Sequence, residues 1–514
     1  MHVLRFRWVF CQLETLRHCL PPSVRGVLAE LPETLDATYE WILQEIPKSN
    51  QVHAHRLLQC LTVAVRPLRV EELADVLAID FGKSDGTPRL NEALRWEDQE
   101  QAILSACSSL IAIVENEDSR LVQFSHFSVK EFLTSDRLAT SKRDASRYHH
   151  IPLEPASTIM AQACLTILLR FDAHTESANI ENSPLAEYAA EHFGAHAEFE
   201  GVLSHIRDEV GHLLDADKPH FAAWLWMCQN RVNYEQPPPP KVTPLHYVAE
   251  RGYRGLVDYL ISKRPEDVNV RGNFGTPLHA ALEGGHANVA QLLLEHCVDV
   301  DVRDSDDQAP LHLAVRRGFL GVSRTLIERH ADINARDRFG HTPLTRTRAL
   351  WDNTPEERGL DVLKLLLDHG ADTGATDGNQ STALHVASFH GRVKSAQLLQ
   401  HGANIHARNR MGQTPLHRVL FSLNDDTTSL DRYLDVIRCL LEHGADIGAQ
   451  DNANATPLHL ASCYGCANAA RLLLEHGATA HLQDSEGKTP FEVASAQGHD
   501  SVTQLLSEHL QTKQ

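Results

Sequence analysis

One short motif constrains this chain more than any other feature. Thr-Pro-Leu-His begins at Thr243, Thr276, Thr414 and Thr456, and close variants begin at Ala309, Thr342, Thr382 and Thr489. Successive copies are 33, 33, 33, 40, 32, 42 and 33 residues apart. Each copy reads as the start of a short helix. In the second, Thr276 can cap the N-terminus with its hydroxyl, and Pro277 at the first helical position loses nothing by lacking an N–H. Leu278, Ala281 and Leu282 then share one apolar face, and Gly284-Gly285 stops the helix. Val289, Leu292 and Leu293 give a second short helix its own stripe. Val298-Asp-Val-Asp-Val-Arg-Asp304 leads to the next copy. No such unit can bury its faces alone, so neighbours must stack.

A period near 33 built on this motif is the signature of ankyrin repeats. About eight are expected, over 241–512, stacked as an α-solenoid whose extended concave side is open to a partner. Two carry extra residues between their helices, around Trp351-Asp-Asn-Thr-Pro-Glu-Glu-Arg and Phe421-Ser-Leu-Asn-Asp-Asp-Thr-Thr. Insertions at equivalent points emerge on one face, and tolerated loop growth accounts for them. The eighth copy fits a terminal unit, with Glu492 in place of the usual His.

The totals exclude several function classes. A length of 514 residues predicts two to four domains. A net charge of −20 and a pI near 5.9 oppose nucleic acid or an anionic membrane as partner. No run of 18 uncharged apolar residues could cross a bilayer. Arg5, Arg7 and Glu14 interrupt the apolar N-terminus, which argues against a signal peptide. The ten cysteines are scattered, and only Cys463 and Cys466 stand close, with no second pair to complete a zinc site. Reduced thiols in a cytoplasmic protein are the expectation. Most of the 32 histidines are repeat grammar, Leu-His in first helices and Glu-His-Gly after second ones, so neither metal nor cofactor is expected.

Upstream of the repeats the chain changes character. Residues 1–47 read as a helical tail, with Leu13, Leu16 and Leu20 on one face and a later run from Leu35 to Ile46. Residues 48–140 read as winged-helix-like. Helices are expected around Leu57–Val65, Arg69–Ala78 and Glu97–Ala106, followed by a hairpin of Leu110–Glu115 and Arg120–Ser125. Such domains often read DNA. Here the third helix opens Glu97-Asp-Gln-Glu, which phosphates would repel. Residues 141–236 read as a helical linker, closed by the stiff Pro237–Pro240 spacer. The fold class is mainly α: helical tail, winged-helix-like domain, helical linker, ankyrin solenoid.

Three stretches outside the repeats carry a resemblance. Phe6-Arg-Trp-Val-Phe-Cys-Gln-Leu-Glu-Thr-Leu with Leu31-Pro-Glu-Thr-Leu-Asp-Ala-Thr-Tyr resembles the sequence just after the nucleotide-binding core of fungal NACHT proteins. Phe124-Ser-His-Phe-Ser-Val-Lys-Glu-Phe-Leu resembles the end of their winged-helix domain, and Pro184-Leu-Ala-Glu-Tyr-Ala-Ala-Glu-His-Phe their following helical segment. The resemblance implies a STAND-type architecture, in which an NTPase switches oligomerisation and an ankyrin array receives the signal. It also implies that residues 1–47 follow a NACHT core. This sequence departs from the family at the engine: the P-loop spacing fails at Gly82-Lys-Ser and Gly487-Lys-Thr, where Leu77 and Leu482 replace the first glycine. No nucleophile elbow or His-Glu-x-x-His occurs either. The expectation is therefore a non-catalytic interaction protein in STAND-type signalling. The alternative is the sensor portion of an NTPase whose P-loop domain lies outside this chain. His126 sits where the related switches place a histidine that meets the β-phosphate of ADP; without a phosphate pocket it is a packed histidine at a strand end.

The expected partner is a protein, a homologous NACHT protein among the candidates, held on hairpin tips and inner helices. Arg303, Arg336 and Arg408 each stand six residues before their repeat motif, with Arg338 and Arg410 nearby. This row could favour an acidic ligand, though charged tips are also ordinary solvated repeat positions.

Overall fold

A computed structural model describes residues 34–512, apart from 82–87, 92–93, 95–97, 108–109, 117–118, 142–146, 173–179, 181, 216, 229–241, 348–355, 401 and 423–429. The Phe6–Leu16 stretch, the proline spacer and most of both inserts lie outside the described residues. The chain divides into two compact units, Met1–Pro244 with Tyr253–Lys263, and Leu245–Gly252 with Arg264–Gln514.

In the first unit α1 (Leu35–Gln44) is capped by Thr34, whose hydroxyl accepts from Ala37 N at 3.2 Å. It buries Tyr39, Ile42 and Leu43, and the Tyr39 hydroxyl meets Ser128 Oγ at 2.9 Å. A winged-helix domain follows: α2 (Gln51–Val63), β1 (Leu68–Arg69), α3 (Val70–Leu77), β2 (Ile79–Asp80), β3 (Arg89–Leu90), α4 (Gln99–Cys107), β4 (Ile111–Asn116) and β5 (Ser119–Phe124). The sheet order is β1-β5-β4, antiparallel throughout, with Leu68 opposite Val122 and Ile113 opposite the same Val122. The wing hairpin falls where the sequence put it. The second helix differs: it begins at Val70 because Arg69 is held in the sheet opposite Leu121. Glu72 locks that corner. Its fully buried carboxylate accepts from both Arg66 terminal nitrogens, at 2.8 and 2.6 Å, and from Arg69 N at 2.8 Å.

The domain continues through α5 (Phe127–Leu133) and α6 (Asp136–Ala139), and α7 (Leu153–Leu168), α8 (Leu185–Ala197), α9 (Val202–His205), α10 (Arg207–Leu213) and α11 (His220–Cys228) follow it. Buried Ala156, Ala163, Ala186 and Ala189 have little bulk, which lets α7 and α8 pack closely. The buried Trp224 donates its indole N–H to Ala190 O at 2.9 Å and stands edge-on to Phe193. Of the first repeat's helices, α12 (Pro244–Arg251) groups with the repeats. Its companion α13 (Arg254–Lys263) groups with the first unit, where the Glu198 carboxylate accepts from Gly255 N and Leu256 N at 3.0 and 3.1 Å.

The second unit is a stack of helix pairs, α14 (Pro277–Gly284) with α15 (Ala287–Leu294), α16 (Pro310–Arg317) with α17 (Leu320–Glu328), α18 (Pro343–Arg346) with α19 (Glu356–Asp368), and α20 (Ala383–Phe389) with α21 (Val393–Gln400). The stack continues through α22 (Pro415–Phe421) with α23 (Leu430–Glu442), α24 (Pro457–Cys463) with α25 (Ala467–Glu475), and α26 (Pro490–Gln497) with α27 (Asp500–Thr512). Leu278, Ala281, Leu282, Val289 and Leu293 are all fully buried, as the repeat pattern requires. Gly285 ends α14 in the left-handed region at φ 88°.

Candidate protein-binding surface

Six hairpin tips are each built by one side chain. The Oδ1 atoms of Asp304, Asp337, Asp377, Asn409, Asp451 and Asp484 each accept from the main-chain N–H groups two and four residues on, at 2.8 to 3.0 Å. The loop turns at a positive φ, carried by Asp307, Gly340, Gln380, Gly412, Asn454 and Gly487. Consecutive tips are then joined main chain to main chain. Arg338 N donates to Asp306 O, Gly378 N to Phe339 O, Arg410 N to Asn379 O, Asn452 N to Met411 O and Ser485 N to Ala453 O. The tips form one continuous hydrogen-bonded row.

The arginines of this row fall into two kinds. Arg303 Nη1 donates to Asp307 O at 3.0 Å in its own tip and to Arg336 O at 2.9 Å in the next. Arg336 Nη1 reaches Gly340 O at 3.3 Å and Thr376 O at 2.8 Å. Arg408 Nη1 reaches Gly412 O at 3.4 Å and Gln450 O at 2.6 Å. These three staple one tip to its neighbour. Arg338 and Arg410 are exposed and make no such staple. Arg338 pairs with Asp306 at 2.6 Å and lies over the Phe339 ring at 4.6 Å. Among the described residues no carboxylate lies within ion-pair distance of Arg303, Arg336, Arg408 or Arg410.

The repeat histidines are internal joints. Nδ1 of His279, His385, His417 and His459 accepts the main-chain N–H three residues back, at 3.1 to 3.2 Å. Nε2 of the same rings faces the carbonyl that precedes the next repeat, at 3.0 to 3.1 Å. That geometry requires a neutral ring protonated on Nε2. Burial pushes every one of these histidines below its ordinary value, His385 to about 4. Among the described residues no group of three or more His, Cys, Asp or Glu is arranged to hold a metal.

His126 caps α5: its Nδ1 accepts from Ser128 N at 3.2 Å and lies 2.7 Å from Ser128 Oγ. In the wing, Arg120 is engaged by Glu71 at 3.3 Å and by Glu100 of α4. Sequence reasoning missed an aromatic group on the first helices of the fifth to seventh repeats. Arg418 lies 4.4 Å over Phe389 and 5.7 Å over Phe421, which stands edge-on to Tyr464 at 5.4 Å. Phe389 and Phe421 each stand seven residues past their Thr, and that common register was the available signal. A cavity of about 440 Å³ in the first unit is lined by Leu90, Leu165, Leu169, Arg89, Arg170 and His212 among others. The Thr166 hydroxyl on its wall donates to Gln162 O at 2.8 Å within its own helix.

Comparison with known proteins agrees with this architecture. Residues 245–337, 356–451 and 427–514 match a model of ankyrin repeats. Residues 42–143 match the model described as the GPI inositol-deacylase winged helix domain. The chain is 30% identical over 259 residues to the azaphilone pigments biosynthesis cluster protein L of Monascus ruber, a stretch covering 47% of this chain and 53% of that protein. The chain thus spans about half the length of this curated relative. It is a mainly helical protein with a winged-helix domain followed by ankyrin repeats.

Proposed function

We propose that this chain is a non-catalytic protein-interaction scaffold of STAND-type signalling, receiving a protein partner on the concave side and tips of its ankyrin array. The observation that carries this is the division of labour in the repeats. Histidines, prolines and leucines are consumed in joining the units, whereas Phe274, Phe339 and Met411 are left 73%, 48% and 62% exposed on the tips. Protein interfaces draw on such aromatic, Met and Arg side chains. The alternative, a sensor portion of a NACHT NTPase, draws on the capping geometry of His126: with Nδ1 accepting from Ser128 N, the ring carries its proton on Nε2, the tautomer that donates to a phosphate. Under the scaffold function residues 1–47, 48–140, 141–236 and 241–512 act as tail, winged-helix module, linker and receiver in the cytoplasm, and a homologous NACHT protein is one candidate partner. The biosynthesis-cluster name of the Monascus relative is compatible with a regulatory scaffold in such a cluster.

The test is affinity capture with the full chain from cells that produce it, followed by reconstitution from purified components. A purified protein that binds at micromolar concentration or below supports the function. Failure to reconstitute any captured protein overturns it, as does release of phosphate from ATP or GTP that copurifies with the chain.

A further inference from the structure

The tips leading into the fourth and sixth repeats differ from their neighbours. Arg336-Asp-Arg-Phe-Gly-His341 and Arg408-Asn-Arg-Met-Gly-Gln413 follow the same pattern: staple arginine, loop-building Asp or Asn, exposed arginine, exposed apolar residue, glycine. The structure puts Phe339 and Met411 at equivalent points of the two loops, each just before the glycine at positive φ. The tip between them, Asp377-Gly-Asn-Gln380, is small and polar. Two apolar side chains therefore stand two repeats apart, each beside a guanidinium. The staples add to the charge without hiding it, because Arg336 and Arg408 are bonded through neutral carbonyls rather than carboxylates. The two tips carry four arginines against one carboxylate, Asp337, which Arg346 holds at 2.9 Å, with Asp377 on the tip between them; in a chain of net charge −20 they are locally cationic, with two apolar contacts set among the charges.

We infer that the 336–341 and 408–413 tips receive one extended acidic segment of a partner protein, whose apolar side chains rest on Phe339 and Met411 while its carboxylates meet Arg338 and Arg410. This deepens the scaffold function proposed above and rests on it. Charge complementarity selects the occupant, since a basic segment or a nucleic acid lacks either the carboxylates or the matching apolar groups. Packed helices lie about 8–10 Å apart, so two repeats span about 20 Å, which an extended chain covers in about six residues. The partner's apolar residues are then about six apart with acidic residues between them. Arg338 already lies on Phe339 and pairs with an exposed Asp306, so the incoming carboxylate exchanges for a surface ion pair of little net worth.

The probe is a phage-displayed library of random peptides about twelve residues long, panned on the full chain. Selected peptides are expected to be acidic with two apolar residues about six apart, and to lose binding as salt is raised. Arg338→Glu with Arg410→Glu, and separately Phe339→Ser with Met411→Ser, should each weaken a labelled selected peptide at least about tenfold. Arg410→Lys on its own should retain most of the binding. These side chains are exposed, so thermal unfolding of each variant should match the parent chain. Selection of basic peptides, of no peptides, or of peptides indifferent to both double variants overturns the inference. The scaffold function fails separately: a captured protein that reconstitutes with the tip variants as well as with the parent leaves that function standing and removes only this surface.

Discussion

His385 shows how one side chain serves two repeats. Its Nδ1 holds Thr382 N and its Nε2 holds Gln413 O, so His385→Ala would strand a buried donor and a buried acceptor. The expected cost is about 2–3 kcal/mol, read as a lower urea midpoint at an unchanged slope. The same ring makes the array acid-sensitive. In the unfolded chain it takes a proton below its ordinary 6.5, but folded it resists until about 4. Its contribution is therefore intact above pH 6.5 and is lost as pH falls from there toward 4; near pH 5 His385 alone costs the fold about 2 kcal/mol. The other repeat histidines move in the same direction, so thermal midpoints measured from neutral pH downward should fall steeply across that window. A flat profile would contradict the neutral joints. The arginines give a second test. Arg336→Ala breaks bonds to two carbonyls and should cost about 1–2 kcal/mol, whereas Arg410→Ala should stay within about 0.5 kcal/mol by the same denaturation measurement. This difference was not legible in the sequence. The six-residue spacing placed Arg303, Arg336 and Arg408 in one row, but the carbonyls they hold lie 33 to 42 residues away, in the next tip.

Element by element, what was legible tracks how local the cause is. The repeat helices were legible because cap, proline and stop lie within ten residues of one another. Strand β1 was not: two residues, Leu68 and Arg69, are strand only because Val122 and Leu121 pair with them across the domain. The grouping of α13 with the first unit was also invisible, since it depends on Glu198 far upstream. One weakness was written in the motif itself. The fourth copy reads Thr342-Pro-Leu-Thr, and Thr345 satisfies Thr342 N at 2.8 Å without the reach to bond the next repeat. The histidine ladder is thus interrupted between the fourth and fifth repeats, where α18 is one turn long. Repeat arrays open where the interface between neighbours is weakest. Hydrogen exchange followed by mass spectrometry should show Pro343–Arg346 losing protection before the first helices on either side. Thr345→His should slow that exchange by restoring the joint.

At the scale of the whole molecule, two cores are held together by different means, and most of the tryptophans fall in one of the two units. Five of the six, Trp8, Trp41, Trp96, Trp224 and Trp226, precede the repeats, while Trp351 falls in the fourth repeat's insert. Trp224 is fully buried and tied to Ala190 O, so its emission should shift when the α7–α8–α11 core opens. Far-ultraviolet dichroism instead follows helices in both units. The repeats bury short, similar faces between nearest neighbours, so their stability accumulates unit by unit. The first unit depends on long-range contacts such as β1 with β5 and Tyr39 with Ser128, which form or fail together. A chain of this length with two such cores should not unfold in one step. In urea, with Trp351→Phe to leave only the tryptophans that precede the repeats, the fluorescence transition should be single and sharp. The dichroism transition should be broader, with part of its amplitude at a different midpoint, and Thr345→His should move only that part. If both probes gave one superimposable curve, the two units would be a single cooperative body, and the array could not respond to a partner independently of the winged-helix domain.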